Sequence, residues 1–174
     1  TVMNTKLIIL SLLELGLAIL LGVVVLYLAY SVLNERVFKK YDIKKDNLAF
    51  AVITSAVLFA VGNIMEGTIE PIGDLIRQLS SAYDDLTTIA LQSVKFILMF
   101  LLIALVLAFL INLISIKLFT TLTKVDEFQE IADNNIAPAL ITGVIAIVIS
   151  MFAKGPAVQL MQAIIPYPDL PGIL

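Results

Sequence analysis

Very few residues in this chain have the type and placement to do chemistry. Glu14 stands inside the otherwise uncharged run from Leu7 to Leu33, and Asn47 and Asn135 each open a long apolar stretch. A carboxylate about 12 Å along a helix from the charged end at Lys6 is costly in hydrocarbon, so it needs a partner, a proton or water. Lys6, two turns away, and Lys95, at the head of a later apolar run, are the candidate partners. The alternative is a part in moving an ion or a proton. An Asn ahead of a helix accepts from the unpaired N–H groups of its first turn. The two amides could instead present a polar ring to a small ion or a partner protein.

What is missing narrows the chemistry further. The sequence has no His and no Cys, which removes the commonest general base, thiolate nucleophiles, disulfides and most transition-metal ligand sets. It carries no glycine-rich phosphate loop and no motif joining a nucleophile to a base, so the expectation is a protein that is not an enzyme and uses no cofactor or metal. The net charge of -3 argues against nucleic acid as partner.

The elements that must hold these residues are membrane spans. The 174 residues are 60% hydrophobic and only 14% charged, with a mean hydropathy of +1.05. Soluble chains average about 25% charged residues. Four runs are long and apolar enough to cross a hydrocarbon core of roughly 30 Å: 7–33, 48–65, 96–116 and 136–153. The loop after the first run holds Arg36, Lys39, Lys40, Lys44 and Lys45, whereas the connection from Glu66 to Ile89 sets Arg77 alone against five acidic residues. Lys and Arg stay on the cytoplasmic side, so the basic loop is predicted inside and both termini outside. Its cheapest role is that orientation signal, with contact to anionic headgroups.

Shifting the chain by 88 residues lays Asn47-Leu-Ala-Phe-Ala-Val-Ile-Thr54 over Asn135-Ile-Ala-Pro-Ala-Leu-Ile-Thr142 with five identities, and superposes Gly67 on Gly155. The expected fold class is therefore all-α, a polytopic membrane protein of four transmembrane helices. They form two parallel two-helix repeats related by a pseudo-twofold along the membrane normal, with outer amphipathic helices. The first repeat covers 1–88, with an outer helix at 71–86. The second covers 89–174, with an outer helix at 156–165 and a Pro-rich tail. The duplicated polar pair and Ala-rich helix start (Asp46-Asn47-Leu-Ala-Phe-Ala, then Asn134-Asn135-Ile-Ala-Pro-Ala) resemble the YjfL-type family of small membrane proteins, domain of unknown function 350. That resemblance implies the four-span fold and residence in a bacterial inner membrane, and no activity.

Small residues four apart, Ala51 with Ser55 and Ala139 with Gly143, predict close packing of the second and fourth helices. Ile72, Leu75, Ile76, Leu79, Tyr83 and Leu86 recur at three and four, which predicts an amphipathic helix lying at the outer interface. The leading functional expectation is a non-catalytic scaffold or subunit of a homo- or hetero-oligomeric membrane assembly. The alternative is a component of an ion or small-solute channel or transporter with Glu14 in the pathway.

Overall fold

The protein is described by a computed structural model, which gives the backbone of residues 2–35, 43, 46–83, 85–123 and 126–165; the side chains of 2–11, 13, 14, 17 and 86 are outside the description. Among the described residues six helices follow in chain order, with no strand: α1 (Val2–Leu33), α2 (Leu48–Glu66), α3 (Ile69–Ala82), α4 (Leu86–Thr123), α5 (Glu127–Ala132) and α6 (Ile136–Ile164). Among the described residues, three stretches are long and apolar enough to cross a membrane: Leu48–Ala82, which includes the turn between α2 and α3, then Thr87–Thr123 and Ile136–Ile164. α1 has 32 residues of helical backbone, and its apolar stretch among the described side chains is Ala18–Leu33.

The core is a three-helix bundle. α2 and α6 lie side by side and run in the same direction, as their contacts between residues 87 and 88 positions apart require. α4 packs against both, offering a face spaced at four: Phe96, Phe100, Ala104, Ala108 and Asn112 are all buried. Two alanines in succession let that helix approach closely, where bulkier side chains would hold the backbones apart. At 38 residues α4 is about 57 Å long, so both its ends pass beyond a core of roughly 30 Å. The run predicted at 96–116 is its middle. Asp85 starts the helix by accepting from the N–H of Thr87 (3.3 Å), the N–H of Thr88 (3.0 Å) and the hydroxyl of Thr88 (2.7 Å). Together these hold the exposed Asp85 carboxyl below its ordinary value, the Thr88 hydroxyl first among the causes.

α3 is the expected amphipathic helix, displaced by two to four residues. It spans Ile69–Ala82, with Pro71 in its first turn, Leu75, Ile76 and Leu79 buried, and Asp74, Arg77 and Gln78 exposed. Leu86 belongs instead to α4. The outer helix predicted at 156–165 is not a separate element: α6 continues without interruption through Gly155 and Pro156 to Ile164. Proline deprives the helix of one N–H. The continued helix nevertheless buries Ala157 and Met161 on the same face as Ala146 and Ser150, and that packing favours helix over turn. At the equivalent place in the first half the chain does turn. A Cβ at Gly67 would lie 2.6 Å from Val158 Cγ2, so only glycine lets the end of α2 press against α6.

Candidate functional site: the seam between α2 and α6

The polar residues that can act together sit along the line where α2 meets α6, and the best connected group is at the Asn47 end. Asn47 takes an extended backbone (φ -73°, ψ 107°), and its Oδ1 accepts from the N–H of Phe50 at 2.7 Å. This is the predicted N-cap, yet the same side chain does more. Its Nδ2 donates to the carbonyls of Ile131 (2.7 Å) and Ala132 (3.1 Å) at the end of α5, where the Ile131 carbonyl also accepts from the N–H of Asn134 (3.0 Å). Asn134, in the left-handed region at φ 64°, closes α5 and accepts from the N–H of Ala49 at 3.1 Å. The first turn of α2 is thus capped from both sides, once by its own Asn47 and once by Asn134 from the far half of the chain.

Asn135 is less connected. Its Oδ1 accepts from the N–H of Ala137 at 3.2 Å, its Nδ2 donates to Glu130 Oε2 at 2.9 Å, and both bonds are exposed. The two amides that look alike in sequence are a buried clamp and a surface cap, and they form no symmetrical ring. Asn134, in sequence only a part of the repeated motif, is a member of the junction through its bond to Ala49. Beside it Glu127 is buried, with one carboxylate oxygen accepting from the Thr123 hydroxyl and the other without a partner.

Farther along, the helices touch directly. A Cβ built at Gly143 would lie 2.7 Å from Ala56 Cβ and 3.9 Å from Ile53 Cδ1. Ala139 is fully buried on the same helix. Ala51 and Ser55, expected at this contact, are instead exposed on the outer face of α2, where the Ser55 hydroxyl bonds back to the Ala51 carbonyl. The contact on α2 runs through Ile53, Ala56 and Asn63, whose spacing of three and seven turns Ala51 and Ser55 away. Asn63 Nδ2 donates to Ser150 Oγ at 3.2 Å. At the far end Lys154 pairs with Glu66, and these two residues superpose under the shift of 88. The clue lay in that shift, which sets a base over an acid.

Among the described residues of α2, α4 and α6, four buried polar groups stay unpartnered: the hydroxyls of Thr54, Ser93 and Thr142 and the Oδ1 of Asn112. Thr54 and Thr142 occupy the same place in the two halves, seven residues after their caps. Lys95 is exposed, its ammonium 5.7 Å from the ring of Phe96. Glu14 lies in α1 with its side chain outside the described residues, as do Arg36, Lys39, Lys40, Lys44 and Lys45 of the basic loop. Ile43 of that loop is buried in the core. Among the described residues no three of His, Cys, Asp and Glu come together.

The arrangement binds helix to helix. Its double cap on α2, glycine contact and terminal ion pair all act between α2, α5 and α6. No match to this chain exists among the curated proteins or the solved structures. The family model described as Domain of Unknown Function (DUF350) matches residues 5–155, and an all-helical membrane protein of this sequence belongs to that family.

Proposed function

We propose that the chain is a four-span, non-catalytic membrane component, a scaffold or subunit of a homo- or hetero-oligomeric assembly. In this reading two helical pairs insert in the same sense, the Asn47 end and the basic loop face the cytoplasm of a bacterial inner membrane, and both termini lie outside. The observation that carries it is the α2–α6 seam. It is closed by side-chain contact from Asn47 through Ala56 and Asn63 to Glu66, so that the centre of the fold joins helices. The apolar surface left over is broad. Leu48 and Phe59 are exposed beside Ala51 and Ser55 on α2, and α1 exposes Val24, Leu26, Tyr27, Leu28 and Val32 around most of its girth. Small residues flanked by large ones on a lipid-facing helix suit helix association between copies. The absence of His and Cys from the sequence supports a role without catalysis.

The test is the mass of the detergent-solubilised protein by light scattering. A mass above that of one 19.0 kDa chain, reduced to one chain by Ala51→Leu with Ser55→Leu, is the expected result. A lone chain in both proteins, with no co-purifying membrane partner, would refute the reading.

A second reading, conduction of an ion or small solute with Glu14 in the path, draws on the unpartnered hydroxyls of Thr54 and Thr142 and the amide oxygen of Asn112 inside the bundle. Liposome flux that changes with Glu14→Gln supports it, and no flux over a range of ions and potentials removes it.

A further inference from the structure

A second feature of the fold lies away from the seam. Near the Glu66 end a cavity of about 230 Å³ opens between four helices. α1 contributes Gly22, Val25 and Leu26, α2 Gly62 and Met65, α3 Ile72, Gly73 and Ile76, and α4 Ile97 and Leu101. The lining is almost wholly hydrocarbon. Its polar members are at the Glu66 end: the Glu66 carboxylate, paired with Lys154, and the Thr68 hydroxyl, which donates to the Met65 carbonyl.

We propose that this cavity holds an acyl chain of a bilayer phospholipid from the leaflet at the Glu66 end. Three observations select a lipid chain over a protein segment. First, the opening is lateral: α1 leans chiefly on α2 and has no comparable packing onto α3 or α4, so the gap beside α1 faces the bilayer. Second, the helices flanking the gap carry exposed Ile19 and Val23 on α1 and Leu98 and Leu102 on α4, a surface continuous with hydrocarbon. Third, the polarity is ordered as in a lipid. The apolar lining gives way to an ion pair and to α3, whose outward face carries Asp74, Arg77 and Gln78, at the level where headgroups lie.

Glycine shapes the volume. A Cβ at Gly22 meets nothing within 4 Å, and one at Gly62 meets only Leu26 Cδ2 at 4.0 Å, so the room is there because side chains are missing and not because backbones are forced apart. An empty apolar cavity beside fluid chains loses dispersion contact on every wall, and a chain that enters restores it.

The experiment reconstitutes the full chain in phosphatidylethanolamine vesicles containing a trace of an analogue with a photoactivatable diazirine in its acyl chain. Labelled peptides are then mapped by mass spectrometry. The expected result is several-fold greater labelling of Gly22–Leu26, Gly62–Ile76 and Ile97–Leu101 than of the lipid-facing Leu110–Leu118 segment. Gly22→Leu, and Gly22→Leu with Gly62→Leu, should abolish that excess while leaving the Leu110–Leu118 signal unchanged. Uniform labelling of the wild-type chain, the signature of a passing annular lipid, overturns the proposal whether or not the variants fold. So does an excess that survives in folded variants. A wild-type excess combined with loss only in folded variants sustains it.

Discussion

Replacing Asn47 and Asn135 separately with Ala should give unequal losses, although the two residues head the same motif. At Asn47 the substitution removes a helix cap, worth about 1 kcal/mol. It also removes two hydrogen bonds at the end of α5, a buried one to the Ile131 carbonyl, which keeps the N–H of Asn134, and one to the Ala132 carbonyl, at about 0.5–1.5 kcal/mol for each bond. The sum is about 2–4 kcal/mol. At Asn135 the cap is exposed and water replaces the amide at Glu130, so the loss should be about 1 kcal/mol or less. Equilibrium unfolding in mixed micelles, read by the fraction resisting denaturant, measures both. Asn47→Asp divides the larger loss, because a carboxylate still accepts from Phe50 but cannot donate to Ile131 and Ala132. It should remain well below wild type. Equal losses at the two positions, or full stability of Asn47→Asp, would refute the clamp.

Gly143→Ala places a methyl 2.7 Å from Ala56 Cβ and should cost about 1–3 kcal/mol by overpacking, with Ala56→Gly in the same chain recovering part of it; thermal melting of the single and double variants checks this. Removing either member of the Glu66–Lys154 pair should change stability by no more than about 1 kcal/mol, because both side chains are partly or largely exposed, and a double-mutant cycle reads the coupling. The cap at Asp85 has a sign that can be tested by titration. Its carboxyl is held below the ordinary value in the folded chain, so its contribution is complete above that ordinary value and disappears as the pH falls through the lowered one. Thr88→Ala should move the Asp85 titration upward, as followed by carboxyl-carbon NMR.

The helices and their approximate limits were legible in the sequence because uncharged runs of fixed length and a periodic apolar face are local signals. Thus α2 begins at Leu48 as expected, and α3 appears within a few residues of its predicted start. Two failures share one cause, which is that a neighbour decided the outcome. Pro156 reads as a helix start, yet Ala157 and Met161 gain enough packing to draw the helix straight through it. Ala51 and Ser55 have the spacing of a contact, but spacing names a face of a helix and not the neighbour that face will meet. A shift of one position along the turn selects Ala56 for Gly143 and leaves the other pair outside. Ala139→Leu would for that reason report on the fold, whereas Ala51→Leu tests the proposed association.

The contrast between Asn47 and Asn135 also explains how a chain with duplicated sequence need not have duplicated energetics. Both asparagines begin a helix, and both adopt the same extended backbone, with φ and ψ within a few degrees. What differs is the segment that precedes the second helix. α5 is six residues long; the N–H groups of Asp133, Asn134 and Asn135 satisfy the carbonyls of Gln129, Ile131 and Glu130, and the Asn47 amide adds a second donor at Ile131 and supplies one at Ala132. Once Asn47 is committed there, the left-handed turn at Asn134 supplies a second acceptor to α2 at Ala49. The connection into the second helix has thereby become the clamp on the first. A substitution that shortens α5, such as Ile131→Pro, should consequently weaken the start of α2, 84 residues away in sequence, more than it weakens the start of α6 beside it. Hydrogen exchange at Ala49 and Phe50 against Ala137 would read that difference, and faster exchange confined to Ala137 would reverse the argument.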